Sequence, residues 1–277
     1  MDLYTETSYQ LSKILTLRYS TSFGSSTKLF ATNLQPHIFA IYGLVRIADE
    51  IVDTYTGKDK KQLLSQLEKE TYMSLKTGYS TNPIVHAFAL TAKQYGITKQ
   101  LIAPFFNSMR MDLKPQKYSQ KLYEKYIYGS AEVIGLMCLK VFVEGDKQQY
   151  AALAPGAKAL GSAYQKVNFL RDIASDYADR GRVYFPGVFF DDFDDDTKHE
   201  ILSDIKKDFH AAHASLNNLP KSAQKAVKLS YNYYYELLKK LEKTPAETLK
   251  KTRVRVPTAK KIYLRAVQPK PSKRGLK

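Results

Sequence analysis

Apolar residues recur at three- and four-residue spacing along almost the whole chain, the pattern of helices with one buried face. Nine stretches carry it, among them "SYQLSKILTLRYS", "PHIFAIYGLVRIADEIVDTY", "PIVHAFALTAKQYG", "SQKLYEKYIYGSAEVIGLMCLKVFV" and "QQYAALAPGAKALGSAYQKVNFLRDIASDYADRG". The breaks fall where Gly, Pro, Asn or Asp gather, as in "TGKD", "GYSTNP", "DLKPQ", "EGDK" and "NNLPKS". Pro36 and Pro83 stand where helices begin, where a missing N–H costs nothing. The longest alternating run is only "TRVRVP" near Val254, too little for a sheet. No polar linker divides the sequence and no internal repeat aligns. The pattern predicts an all-α chain with one domain over residues 1–277 and a ragged basic tail from about residue 250.

Two of these helices break their own apolar rule along a single line. At 100° per residue from Gln165, Asn168 falls at about −60°, Asp172 at about −20° and Asp176 at about +20°. Four oxygen-bearing residues thus form one stripe in a helix otherwise built of Ala, Val, Phe, Leu and Ile. A solvated face would show Lys and Glu; Gln, Asn and paired Asp point to the lining of a cavity. The second stripe is in "IYGLVRIADEIVDTY", where Tyr42, Arg46 and Asp53 lie at about +20°, +60° and +40° from Asp49. Glu50, about 100° away, is expected outside the site. Carboxylates one turn apart are spaced by roughly 6 Å, which suits hydrated Mg²⁺ held by one or two carboxylates and completed by substrate phosphates. Arg180 and Arg182, just beyond the second stripe, are expected to pair locally or to order the segment after the helix. The acidic stretch "FFDDFDDDTKHE" reads as a capped loop, since it precedes a helical run and lacks the glycine and terminal glutamate of a calcium loop.

Charge sharpens the picture only at one end. The net charge is +16 over 277 residues. Lys250 to Lys277 carries eleven Lys and Arg and no acid, leaving 32 basic and 27 acidic residues before it. No nucleic-acid-binding module accompanies that charge, so the tail is read as a contact for an anionic membrane surface. A single cysteine, Cys138, excludes an internal disulfide and a cysteine-built metal site. The amino terminus has neither a basic start nor an apolar core, and no apolar run approaches the ~20 residues of a membrane helix. A cytoplasmic protein, peripheral at most to the membrane, is the expectation.

On these residues the chain resembles the squalene/phytoene synthase family, the head-to-head prenyl-diphosphate synthases. "DEIVD" at Asp49–Asp53 resembles that family's first aspartate motif, and "YQKVNFLRDIASDYADRGRVYFP" its second. "YSTSFGSSTKLF", "YIYGSAEVIGLM", "FNSMRMDL" and "RVRVP" are similar to further family segments in the same order. The resemblance implies an isoprenoid-synthase-type helical bundle around a central apolar cavity. It places Asp49, Asp53, Asn168, Asp172 and Asp176 at metal-binding positions. Ser20, Thr21, Ser22, Phe23, Tyr42, Arg46, Gln165, Arg171 and Tyr234 fall where prenyl diphosphate is held, Tyr234 among neighbouring tyrosines. Tyr126 matches the tyrosine that acts near the carbocation, with Phe39 a further aromatic candidate. Ile127 departs from the usual cysteine, and Glu132 stands where a small residue is common, so it needs a partner or an outward orientation.

The implied reaction joins two geranylgeranyl diphosphates into phytoene, with Mg²⁺, or Mn²⁺ in its place, neutralising the leaving diphosphate. C15 chemistry from farnesyl diphosphate, giving dehydrosqualene, squalene or presqualene diphosphate, stands beside it; NADPH is required only if squalene is formed. A non-catalytic assembly homologue would have eroded aspartates, and all four are present.

Overall fold

Helix starts in the computed structural model follow local capping chemistry; it describes residues 1–20, 24, 26–114 and 117–266. Thr21, Ser22 and Phe23, three of the expected substrate contacts, lie outside the described residues. Asp2 accepts from the Thr5 N–H at the head of α1 (Leu3–Tyr19). Asn82 accepts from Ile84 and Val85 at the head of α4 (Pro83–Tyr95), with Pro83 in the first turn. Asp194 caps Thr197 at the head of α9 (Asp195–Leu216), so the acidic stretch begins a helix as its composition suggested. Between these run α2 (Gln35–Asp49), α3 (Lys60–Thr77), α5 (Lys99–Met111), α6 (Gln120–Ile127), α7 (Val133–Phe142) and α8 (Lys147–Arg180). α10 (Lys221–Glu242), a single-turn α11 (Ala246–Leu249) and α12 (Thr258–Ala266) complete the order. No strand occurs among the described residues.

α8, 34 residues long, is the axis on which the other helices are arranged. It packs against α7, α9, α10 and α11, while α2 lies against α1, α4 and α7. The apolar rows of these two helices meet one contiguous core: Ile38, Ile41, Leu44 and Ala48 from α2, Ala163, Val167, Leu170 and Ile173 from α8, all nearly inaccessible. Each Leu, Ile or Phe so buried contributes about 1.5–3 kcal/mol, which outweighs the modest propensity cost of β-branched residues in helices.

Two π-helical turns interrupt the regular period: Glu50–Thr54 continues α2, and Tyr128–Glu132 joins α6 to α7. Glycine makes the second approach close. A Cβ on Gly129 would stand 2.2 Å from both the Pro104 carbonyl oxygen and Ser108 Oγ of α5. Ser108 donates across this contact to the Tyr126 carbonyl, 3.2 Å.

The C-terminal segment departs from the expectation of a ragged tail. Lys240 Nζ donates to the Arg255 carbonyl (2.8 Å), and Tyr233 to that of Lys261 (3.2 Å). Leu264 of α12 packs with Leu229 and Tyr233 of α10. Counting charge hid the apolar anchor that turns the segment up to Ala266 into a docked helix.

Candidate active site

The two aspartate stripes meet. Arg180, the last residue of α8, reaches Asp53 on the π-turn (3.5 Å) and Asp176 on its own helix (2.8 Å) at once. The wider turn over Glu50–Thr54 re-aims Asp53, so the sequence reading of Asp53 at regular α spacing is replaced by this geometry. At Gly181, φ +60° ends α8 in a left-handed cap, and the chain turns Arg182 back into the protein.

Arg182 pairs locally, with the Tyr184 hydroxyl at 3.2 Å, and also reaches far beyond its own segment. It is buried, and its Nη1 lies 3.4 Å from Asp53 Oδ1 and 3.4 Å from Asp112 Oδ1, while Nη2 donates to the Asp112 carbonyl. Tyr126 donates to Asp112 Oδ2 (2.7 Å) and Tyr184 to Oδ1 (3.3 Å). Asp112, just past the end of α5, is thus the hub of a network that the sequence stripes did not include. Its signal was "FNSMRMDL", a lone carboxylate at a helix end with no same-face partner. Tyr126 is itself buried and sits in an aromatic wall with Tyr184 (5.2 Å between ring centres), Tyr118 (5.5 Å) and Phe169 (5.8 Å). Phe169 and Tyr184 stack at 4.0 Å.

On the opposite flank, Arg171 chelates Asp172 through Nε (2.9 Å) and Nη2 (2.5 Å). Arg253, from the segment before α12, adds a second guanidinium to Asp172 at 2.7 Å. Tyr234 stacks on Tyr164 at 3.9 Å and donates to the Asn168 side-chain oxygen at 3.4 Å. Tyr42 is hydrogen-bonded with Ser20, and burial pushes its phenol up to about 12. Arg46 caps the Tyr19 ring at 4.1 Å and pairs with Glu50. Glu50, expected outside the site, is the counter-ion of Arg46. Gln165 lies on the same helix, one turn before Asn168. Glu132 has the partner its position demanded, Lys158 at 3.3 Å.

Dehydration and like charge shape the acids. Burial and the neighbouring Asp53 raise the Asp49 carboxyl to about 8. Burial raises Asp112 to about 7, and burial with the Asp172 charge raises Asp176 to about 6. Arg46, Arg182 and Arg180 only partly offset these shifts, and a divalent cation would supply further positive charge. Among the described residues no three carboxylate, histidine or cysteine side chains gather closely enough to enclose an ion alone. Paired carboxylates with an amide oxygen are all hard donors, and they fit Mg²⁺ or Mn²⁺ shared with phosphate oxygens.

Asp49 on α2, Cys138 on α7 and Tyr164 on α8 are each half-buried. Two recesses, of about 530 Å³ beside Lys58–Ser65 and about 200 Å³ beside His213 and Tyr231, involve none of these residues.

Comparison with known proteins agrees with this arrangement. Residues 16–260 match the family described as squalene/phytoene synthase. The chain belongs to that family of prenyltransferases, which condense prenyl diphosphates head to head. It is 27% identical to 15-cis-phytoene synthase of Pantoea ananas, over 88% of this chain and 76% of that one. It is also 27% identical to 15-cis-phytoene synthase of Synechococcus elongatus, over 92% and 90%, and 26% identical to 4,4'-diapophytoene synthase of Staphylococcus haemolyticus, over 73% and 70%. Against longer chloroplast enzymes such as maize phytoene synthase 3 the match spans 61% of this chain and 40% of the relative. A dehydrosqualene synthase structure superposes with a TM-score of 0.79 at 18% identity, covering 94% of each chain. The squalene synthase HpnC of Alicyclobacillus acidocaldarius gives 0.76 at 20%, over 87% and 95%. The all-α isoprenoid-synthase fold is therefore shared.

Proposed function

We propose that this protein condenses two geranylgeranyl diphosphates to phytoene in carotenoid biosynthesis, by way of a cyclopropylcarbinyl diphosphate. The observation that carries the reading is the meeting of the two aspartate stripes, where Arg180 spans Asp53 and Asp176 beside the raised carboxyls of Asp49 and Asp176. On this reading Asp49, Asp53, Asn168, Asp172 and Asp176 hold Mg²⁺, or Mn²⁺, whose chemistry is to neutralise charge on the departing diphosphate. Ser20, Tyr42, Arg46, Gln165, Arg171 and Tyr234 bind and orient the diphosphates, with Thr21, Ser22 and Phe23 in the same role outside the described residues. Bidentate guanidinium contacts suit the phosphate oxygens. The Tyr126 hydroxyl is held by Asp112, and on this reading Tyr126 with its aromatic neighbours lies near the cationic carbon skeleton; an aromatic face steadies such charge by about 0.5–2 kcal/mol. The interior excludes water, so the second cation loses a proton instead of being trapped as an alcohol.

The likeness to 4,4'-diapophytoene synthase supports a second reading, C15 chemistry from farnesyl diphosphate. A non-catalytic role is disfavoured by the intact acids. A cytoplasmic location with peripheral contact to an anionic membrane through the basic tail completes the reading; Lys270–Lys277 lie outside the described residues.

Incubation with Mg²⁺ and either geranylgeranyl or farnesyl diphosphate, with and without NADPH, separates these by mass spectrometry of the extract. A C40 triene formed without NADPH establishes phytoene synthesis. A C30 hydrocarbon moves the substrate to C15 and keeps the chemistry. No product from either substrate overturns the enzymatic reading.

A further inference from the structure

A C30 or C40 hydrocarbon has no polar group and negligible solubility in water, and its diphosphate precursors are amphiphiles. No helix among the described residues is long and apolar enough to cross a membrane. Exchange of such molecules with a bilayer therefore needs a surface contact, placed where the site opens. Six large apolar side chains are exposed in segments that border the aspartates: Tyr19, Tyr55, Tyr177, Phe189, Ile262 and Tyr263. Tyr19 lies under the Arg46 guanidinium, Tyr55 is two residues beyond Asp53, and Tyr177 directly follows Asp176. Phe189 lies under Lys117 Nζ at 5.7 Å, and its neighbour Phe190 stacks on Tyr177 at 4.0 Å.

α12 supplies the rest of this rim. Its inner side is fixed by Leu264, while Ile262 and Tyr263 remain 64% and 58% exposed, large values for such residues on a docked helix. Arg253, just before α12, pairs with Asp172 at 2.7 Å, and the Lys261 carbonyl accepts from Tyr233, whose neighbour Tyr234 donates to Asn168, so α12 lies beside the second aspartate stripe. Residues 250–266 hold seven Lys and Arg and no acid. Lys260 pairs with Glu236, Lys250 and Lys251 with Glu247, and Arg253 with Asp172, yet the segment keeps a basic excess. Exposed aromatic and aliphatic side chains in such a segment fit the interface of an anionic bilayer, where the rings enter the headgroup layer and the cationic groups meet lipid phosphates.

We propose that α12 and the aromatic rim of the site form the docking surface for an anionic lipid bilayer, so that the interior opens onto the membrane. The surface deepens the prenyl-diphosphate reading and rests on it for its purpose, but it is measured without turnover. Flotation of the full-length protein with phosphatidylglycerol-containing and with phosphatidylcholine-only vesicles is the assay. Strong binding only to the anionic vesicles is expected. Lys260→Ala with Lys261→Ala should weaken it roughly 30-fold, at ~1 kcal/mol per cation. Ile262→Ser with Tyr263→Ser should weaken it at least tenfold while activity in detergent micelles is unchanged, and removal of residues 270–277 should leave most of it. Equal binding to neutral vesicles, no binding, or loss on removing 270–277 with no effect at Ile262 and Tyr263 would each overturn the proposal. So would displacement of the protein by DNA together with wild-type binding of the Ile262/Tyr263 variant, since that marks a plain polycation. A protein that floats with vesicles yet makes no hydrocarbon would sink the chemistry and leave the surface standing.

Discussion

Asp112 and Arg182 lie 70 positions apart and pair in the buried network through both the carboxylate and the main-chain carbonyl of Asp112. Removing one member of a buried pair strands the other, at about 3–5 kcal/mol. Arg182→Met should therefore lower the denaturant midpoint by that amount, and Asp112→Asn in the same chain should recover part of it. Additive losses in the double mutant would mean that the pair is not coupled. Asp49→Ala and Asp172→Ala are expected to cut turnover by at least about 10²-fold, the scale of losing one charge-stabilising group, with far-UV circular dichroism unchanged. The residues legible in the sequence were those with a same-face companion: Asp49 with Asp53, and Asn168 with Asp172 and Asp176. Asp112 and Arg253 were illegible because each acts alone on its segment, and only the fold gives it a partner; for Arg182 the sequence offered local pairing but not its reach to Asp53 and Asp112.

At the scale of elements, nearly every helix could be read from its period, and both failures have one physical form. A π-turn adds a residue without changing composition, so neither Glu50–Thr54 nor Tyr128–Glu132 leaves a trace in the apolar pattern. α12 was hidden for another reason: one leucine and a carbonyl bonded to Tyr233 dock it, amid charges that dominate any count. The second π-turn is tested by Gly129→Ala. Its added methyl meets backbone of α5, so the two elements must separate, at about 1–3 kcal/mol. Because Tyr126 hangs from the same contact through Ser108, turnover should fall further than stability explains. Wild-type activity in a folded Gly129→Ala protein would show that the turn does not position Tyr126.

Over the whole molecule, the raised acids link stability to pH. Asp49, Asp112 and Asp176 ionise near 8, 7 and 6 in the fold against 3.8 when unfolded. The native state thus holds more protons between those limits. Stability from these groups is complete below about 4 and is lost as pH rises through 6 to 8. Metal binding needs the ionised forms, so Mg²⁺ affinity should climb over the same interval, with protons released at pH 6. Calorimetry in buffers of different ionisation enthalpy checks this; a flat affinity from pH 6 to 8 would contradict it. Paired carboxylates with no three-acid cluster among the described residues also predict that Mg²⁺ alone raises the melting temperature less than Mg²⁺ with inorganic diphosphate, which would complete the coordination.

The protein's one thiol, on Cys138, is half-buried on α7, packed against the core, and burial pushes its pKa up to about 12. On the proposed function, a prenyl tail held among these helices would screen it from a small alkylating reagent. Alkylation should therefore be slow in the native protein and slower again with a non-hydrolysable prenyl diphosphate bound. That makes a single chemical footprint, read as one mass increment, a measure of how full the molecule is.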